Sequence, residues 1–235
     1  MPRSYSDTTV IIPTLNEEGN IGKLMRLLAG RYPGINIIVS DDGSADGTEA
    51  EVKGFASRHG GVVFLDRGGE RVHGLTASVV DAALHVRTTK IVVMDADLQH
   101  PVDRVGEIDH MLAKYDIVVG VRTYVKDWGL YRRLISKGMA YISYFVFKLR
   151  RKNTCSDMMS GFFGIRTALM RRVAKDSHYG FVPAGYKVLL DVFRLAPRGT
   201  SVGEVYYSSF HKRSAGKSKL THRQIICTLV STFKL

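Results

Sequence analysis

The sequence predicts an α/β fold in which a mainly parallel sheet is covered by helices on both faces. Short apolar runs without polar alternation, such as residues 35–40 and 91–94, are separated by segments with helical periodicity. Polar side chains follow directly after several of these runs, and a parallel sheet gathers its ligands at the carboxyl ends of its strands. A chain of 235 residues that is 45% hydrophobic is long enough to form one sizeable core.

The apolar runs predict seven strands. The first run is rich in β-branched residues and ends at a proline, and the fifth, DIVVGV, is typical of a strand that is buried on both faces. The predicted strands cover residues 8–13, 35–40, 62–65, 91–94, 116–121, 160–165 and 202–210.

Helices are predicted between these strands. Residues 21–28 repeat apolar side chains every three or four positions, and Ser44 or Asp46 can cap the helix that carries Glu49 and Glu51 in its first turn. Further helices are predicted at 74–86, 103–114, 127–152 and 185–196.

The polar residues at the strand ends predict a nucleotide and metal site. They are Asn16 and Glu17 after the first strand, Asp41 and Asp42 after the second, Asp95, Asp97 and Gln99 after the fourth, and Arg122 after the fifth. Alternate side chains of an extended segment share a face, so we expect Asp95, Asp97 and Gln99 to point the same way. Three oxygen donors suit Mg²⁺ or Mn²⁺. An Asp-rich turn without a ligand is the plainer interpretation of Asp-x-Asp alone, but four converging strand ends favour the site.

Two common phosphate-binding motifs are absent. No GxGxxG follows the first strand, which argues against a dinucleotide-binding Rossmann domain. The sequence AGKSK at 215–219 resembles the end of a P-loop, but His211 occupies the position of its first glycine.

The positive charge lies in the second half of the chain. Residues 1–121 contain 12 Lys and Arg against 17 Asp and Glu, whereas residues 122–235 contain 22 against 5. This asymmetry predicts an anionic partner for the second half, and nucleic acid, anionic lipid and phosphorylated substrates all remain open.

The stretch 127–152 combines bulky apolar residues with basic flanks, which is typical of an interfacial membrane helix but also of a core helix with a solvated basic face. No apolar run in the sequence reaches the length of a membrane-spanning helix. Cys155 and Cys227 lie far apart without CxxC spacing, so we expect both to be free thiols in a reducing compartment.

Several stretches together resemble one family. They are VIIPTLNEEGNI, VSDDGSADGT, GLTASVVDAA, VVMDADLQHP, GVR, YRRLISKG, SDMMSGFFGIR, GYKVLL and FHKRSAGKSKL. The chain resembles the dolichol-phosphate (polyprenyl-phosphate) mannosyltransferases of glycosyltransferase family 2, which have the GT-A fold. The combination of MDADLQHP, SGFF and GKSK carries this resemblance, since Asp-x-Asp alone would not.

The resemblance implies a role for particular residues. It places Pro13, Leu15, Glu17, Val39 and Asp41 around the base and ribose, and it places Asp95, Ala96 and Asp97 against the sugar nucleotide. The expected ligands of a Mg²⁺ or Mn²⁺ ion are Asp95, Asp97 and Gln99. Phosphates or the donor sugar would be bound by Arg122, Lys187, Arg213 and Lys219, and the acceptor phosphate by Arg132 and Ser136. Asp95, Asp97 and Arg122 are the expected catalytic residues. Leu15 departs from the family, in which Tyr is common. Asp157 is equally consistent with a structural and an acceptor-side role, and His100 is expected to support the site and not to act as a base.

The resemblance also implies the organisation and partners of the chain. One GT-A domain over 1–235 would divide into a nucleotide-sugar half, 8–122, and an acceptor half, 123–220, with basic amphipathic interface helices at 127–152. Residues 221–235 would form a tail that fits the juxtamembrane end of a longer chain. The expected partners are GDP-mannose, a dolichyl or polyprenyl phosphate and a membrane surface. A membrane-anchoring subunit or a missing transmembrane segment would attach the domain to that membrane, and nucleic acid is not an expected partner. The expected location is the cytoplasmic side of a membrane.

The expected reaction is an inverting transfer of mannose to the lipid phosphate. An ionised phosphate is already a nucleophile, so no general base is required. A UDP-glucose-dependent lipid phosphate glucosyltransferase remains an alternative. A basic nucleic-acid-binding module would explain the charge, but it leaves the acidic strand ends unexplained.

Overall fold

The computed structural model describes residues 3–123, 130–150, 152–176, 181–182, 187–208 and 233, and only the backbone of 130–137, 139 and 140. Its strands are β1 (Thr8–Thr14), β2 (Asn36–Asp41), β3 (Val62–Asp66), β4 (Lys90–Val93), β5 (Ile117–Arg122), β6 (Phe163–Arg166) and β7 (Val202–Tyr207). Its helices are α1 (Ile21–Arg31), α2 (Thr48–Ala56), α3 (Leu75–His85), α4 (Val105–Met111), α5 (Leu130–Leu149), α6 (Thr167–Asp176) and α7 (Val188–Leu195).

The strands form one sheet in the order β3-β2-β1-β4-β6-β5-β7. All described pairs are parallel except those of β6, which runs antiparallel between β4 and β5. The predicted, mainly parallel sheet is therefore confirmed. The antiparallel insertion of β6 was not predicted, and it brings the segment before β6 beside the end of β4.

The helices cover both faces of the sheet. Under α1, α2 and α4 the core contains Leu24, Val52 and Ile108, all fully buried. The other face packs against α3, α5, α6 and α7 through residues such as Val79 and Phe147. The two layers are needed because the strands are apolar on both sides.

The structure differs from the helix predictions in two places, and a third prediction reaches beyond the described residues. Residues 102–104 form a 3₁₀ turn and α4 ends at Met111, so the predicted helix 103–114 was too long. Helix α6 was not predicted, although Met170 and Val173 are buried on one side of it. In the interface region the structure describes one helix, α5, and residues 127–129 and 151 lie outside the described residues.

The start of α1 is held by a carboxylate from α2. The backbone amides of Gly19 and Gly22 both donate to Glu51, at 3.1 Å each, and Asn20 makes no side-chain cap. These amides have no partner within the helix, and a negative charge there also suits the helix dipole. Glu51 therefore fixes the loop that follows β1 against α2.

Helices long and apolar enough to cross a bilayer are not found in the described part of the chain.

Candidate active site

The first two strands end side by side at the carboxyl edge of the sheet. Thr14 pairs with Asp41 across β1 and β2. Pro13 is partly buried, Leu15 is 41% exposed, and Glu17 is partly buried and accepts a hydrogen bond from Asn20 at 3.0 Å. Residues Leu15 and Glu17 are thus reachable by a ligand at this edge.

Val39 and Asp41 are less accessible than the other residues expected around a nucleoside. Val39 is fully buried in the core, so any contact with a nucleoside would have to use its backbone. Asp41 is 3% exposed and accepts bonds from the Thr14 hydroxyl (2.7 Å), the amides of Gly43 (3.1 Å) and Ser44 (2.7 Å), and the Ser44 hydroxyl (2.6 Å). The structure shows Asp41 organising its own loop, and a nucleoside contact there stays a prediction.

The carboxylates Asp95 and Asp97 lie in a turn beyond β4. The strand ends at Val93, and Leu98 has a left-handed backbone with a φ of 61°. The argument from strand alternation was therefore wrong, because the residues from Asp95 to Gln99 are not in a strand. A carboxylate oxygen of Asp97 accepts the amide of Gln99 at 3.1 Å, which tightens this turn.

The two carboxylates differ in accessibility. The side chain of Asp95 is 39% exposed, whereas Asp97 is 7% exposed and Ala96 is 2% exposed. Within the described residues, no three His, Cys, Asp or Glu side chains are grouped so that they could hold a metal ion by themselves. Two carboxylates and the Gln99 amide fit a hard divalent ion whose other ligands are waters and diphosphate oxygens.

Positive charges surround Asp95. Burial would raise the pKa of Asp95, but the hydrogen bond from His100 and the charges of His100, Lys187 and Arg122 hold this pKa below its ordinary value. Asp95 is therefore ionised at neutral pH, as a ligand of a cation must be.

Arg122 is held by an ion pair. Its Nε and Nη2 donate to the two carboxylate oxygens of Asp157, at 2.8 and 3.1 Å, and both side chains are about one-eighth exposed. Lys187 donates to the carbonyl oxygen of Met159 at 2.7 Å. Arg122 and Lys187 thus bring positive charge close to Asp95, and Asp157 holds Arg122 in place. Sequence reasoning left the role of Asp157 open, and the structure shows that it pairs with Arg122.

A second buried arginine lies behind the β2 end and was not predicted. Arg67 is 2% exposed and bonds to the carboxylates of Asp42 and Asp81 and to the Ser78 hydroxyl. Only its position directly after β3 in the sequence could have pointed to it. Arg67 ties the ends of β2 and β3 to α3, so Asp42 is used within the protein.

Four of the predicted site residues lie outside the described side chains. Arg132 and Ser136 lie in α5, where only their backbone is described, and Arg213 and Lys219 lie outside the described residues. Their predicted contacts with phosphates stay predictions.

Helix α5 exposes an aromatic surface. Tyr141, Phe145 and Leu149 are 72%, 62% and 69% exposed, whereas Ser143 and Phe147 on the opposite side are buried. The apolar residues of this helix therefore divide between the core and an outward surface. The core-packing interpretation explains only one of these two sides.

Comparison with known proteins defines the class. A model of glycosyl transferase family 2 matches residues 9–174, and the chain belongs to this family. Crystal structures of glucosyl-3-phosphoglycerate synthase from Mycobacterium tuberculosis share the GT-A fold. One, a complex with phosphoglyceric acid, superposes with a TM-score of 0.71 and 20% identity over 98% of this chain and 80% of that chain. Another contains Mn²⁺, UDP-glucose and glycerol 3-phosphate and has a TM-score of 0.69, also at 20% identity, over the same shares of the two chains.

Sequence comparison points to particular relatives. The chain is 32% identical to dolichol-phosphate mannosyltransferase from Pyrococcus furiosus, over 97% of this chain and 63% of that protein. It is 32% identical to the Saccharomyces cerevisiae protein of the same name, over 93% of this chain and 82% of the relative. The Mycosarcoma maydis protein of that name is 33% identical, over 92% and 74%. The chain thus spans just under two thirds of the archaeal relative.

Proposed function

We propose that this protein transfers mannose from GDP-mannose to the phosphate of a dolichyl or other polyprenyl lipid, with inversion at the anomeric carbon. The observation that carries the proposal is the turn with Asp95 and Asp97, which lies within reach of the Arg122 and Lys187 charges in a family 2 fold. The similarity to dolichol-phosphate mannosyltransferases supports mannose as the sugar and a polyprenyl phosphate as the acceptor.

The turn after β4 would hold the diphosphate of the donor through a divalent cation. Asp95, Asp97 and Gln99 would provide its protein ligands. When bound, Mg²⁺ or Mn²⁺ supplies positive charge that stabilises the departing diphosphate. Ligands that are all oxygen suit both ions, so the donor set does not choose between them.

Arg122 and Lys187 would bind phosphate oxygens at the reacting centre. An oxygen of the acceptor phosphate attacks the anomeric carbon, a new C–O bond forms, and the bond to the diphosphate oxygen breaks. GDP leaves with the electron pair, and no proton has to be removed from the attacking oxygen. Asp157 keeps Arg122 oriented, since the bidentate pair restricts the guanidinium to one geometry.

We further infer that residues 8–122 bind the donor and residues 123–220 the acceptor. The exposed aromatic surface of α5 would lie in the interface of the membrane that carries the lipid. Phe and Leu would enter its apolar part, and Tyr suits the boundary because its ring is apolar and its hydroxyl is polar. This placement would bring a lipid phosphate to the second, basic half of the chain at the cytoplasmic side of a membrane. A membrane-anchoring partner or a further segment of the chain fits the same arrangement.

The test is transfer of radiolabelled mannose from GDP-mannose to a short polyprenyl phosphate with Mn²⁺, with and without EDTA. Organic-extractable, acid-labile label that requires the ion is the expected result. Label from UDP-glucose but not from GDP-mannose would keep the mechanism and replace the donor. No label from either donor, with detergent and with lipid vesicles, would contradict the proposal.

A further inference from the structure

A buried histidine holds one oxygen of the Asp95 carboxylate. Nε2 of His100 lies 3.1 Å from Oδ2 of Asp95, and His100 is only 4% exposed. The Asp95 side chain is far more open, at 39%. The contact therefore joins the partly exposed carboxylate to the protein interior.

Both ring nitrogens of His100 face a polar partner. A carboxylate oxygen accepts hydrogen bonds, so Nε2 of His100 donates to Oδ2 of Asp95. On the other side of the ring, the Tyr207 hydroxyl lies 3.4 Å from Nδ1. Tyr207, His100 and Asp95 are thus connected in one row of contacts.

The ring of His100 is fixed by the segment before β6. It stacks on Phe162, with ring centroids 5.2 Å apart and planes inclined by 23°. The Tyr207 ring meets the same phenyl ring edge-on, with centroids 5.9 Å apart. Phe162 is fully buried, and a side chain at Gly120 would collide with it. His100 therefore has little freedom to turn away from Asp95.

Gly161 leaves room for the contact between His100 and Asp95. A Cβ at Gly161 would lie 3.3 Å from Oδ2 of Asp95 and 3.6 Å from Nε2 of His100. The neighbouring Ser160 hydroxyl donates to the carbonyl oxygen of Gly120 at 2.7 Å and anchors this segment on β5. The sequence SGF at 160–162 thus supports the carboxylate from the second half of the chain.

We propose that His100 is a positioning residue that fixes Oδ2 of Asp95 and thereby presents Oδ1 to the cation and diphosphate of the donor. This inference rests on the proposed function. An unrestrained aspartate would lose rotational freedom on binding the ion, whereas the held carboxylate has already lost it. Removing such a supporting hydrogen bond typically weakens metal affinity or activity by about 10- to 100-fold.

The test compares two replacements of the ring. His100→Phe keeps a ring that can stack on Phe162 but has no donor, whereas His100→Gln loses the ring and keeps an N–H at a similar distance from the backbone. Loss of the free Mn²⁺ signal in electron paramagnetic resonance is measured with GDP present and acceptor absent. After subtraction of the Mn²⁺ that the same GDP binds without protein, this loss reports the affinity of the protein for the ion without turnover. We expect His100→Phe to weaken Mn²⁺ affinity about 10- to 100-fold and His100→Gln to recover most of the loss.

Transfer kinetics and stability separate positioning from folding. In His100→Phe the Mn²⁺ concentration for half-maximal rate should rise by the same factor as the dissociation constant, while the KM for the lipid acceptor stays unchanged. If His100→Phe does not fold, Tyr207→Phe and Gly161→Ala test the same contact, and each should weaken Mn²⁺ affinity in the presence of GDP.

Three results would overturn the inference. The first is wild-type Mn²⁺ affinity in a folded His100→Phe protein, and the second is a loss of affinity in His100→Gln as large as in His100→Phe. The third applies if His100→Phe does not fold: unchanged Mn²⁺ affinity in both Tyr207→Phe and Gly161→Ala. If the wild-type protein itself binds no Mn²⁺ with GDP and transfers no sugar, the proposed function fails as well. The wild-type measurement therefore distinguishes the two failures.

Discussion

Removal of the Asp157 carboxylate should destabilise the protein strongly. Asp157→Ala would leave the Arg122 guanidinium, which is 12% exposed, without its bidentate partner. Breaking a buried ion pair from one side costs about 3–5 kcal/mol. The Met159 carbonyl oxygen, 3.4 Å from Nη2 of Arg122, and the nearby Asp95 charge would relieve part of this cost. We therefore expect a loss of about 3 kcal/mol in the free energy of unfolding, the lower end of that range.

Urea denaturation at pH 7 measures this loss. The matched control is Asp103→Asn, since Asp103 is 50% exposed and lies 3.6 Å from Arg104. Exposed pairs contribute about 0–1 kcal/mol, so the control should be nearly neutral. If Asp157→Ala lowers the free energy of unfolding by less than about 1 kcal/mol, with an unchanged m-value, the reasoning that this ion pair is buried and stabilises the fold is refuted.

The same pair predicts how stability depends on pH. Burial would raise the pKa of Asp157, but Arg122 and Lys187 outweigh it and hold this pKa below its ordinary value. Because the folded pKa is the lower one, the stabilisation is complete above about pH 5 and is lost as the pH falls through the unfolded value of about 3.9 and then the folded value. The stability of the wild-type protein should therefore fall more steeply on acidification than that of Asp157→Asn. Parallel curves for the two proteins would contradict this assignment.

Three further predictions concern the helix start, the metal ligands and the α5 surface. Glu51→Gln should lower the free energy of unfolding by about 1 kcal/mol, because the amide is a weaker, uncharged acceptor for two backbone N–H groups. Urea denaturation measures this loss, and an unchanged free energy of unfolding would exclude Glu51 as the cap of α1. Asp97→Ala should reduce the rate of the proposed mannose transfer by orders of magnitude, and near wild-type activity in the folded variant would exclude Asp97 as a ligand. Phe145→Ser, with Leu27→Ser on α1 as the exposed control, should weaken sedimentation with anionic vesicles without changing the melting temperature; equal binding of both variants would exclude the α5 surface.

Much of the fold could be predicted from local patterns. Each of the seven strands was expected within three residues of its described bounds, because fully buried strands are continuous apolar runs that stand out from their polar flanks. Helix α6 was missed because four of its ten residues are Lys, Arg or Asp, which hide the buried side of Met170 and Val173. The end of α4 was misplaced because apolar spacing continues past the last helical residue.

The sequence by itself determined the class of fold, the family and the segment that carries Asp95 and Asp97. These depend on local apolar runs and on short motifs, which are contiguous in the chain. Only the tertiary structure decided that β6 enters the sheet antiparallel, so that Gly161 and Phe162 lie beside Asp95. It also decided that Asp157 forms an ion pair with Arg122, which lies 35 positions earlier in the chain. Such pairings depend on which strands become neighbours, and that follows from packing the whole core rather than from any single segment.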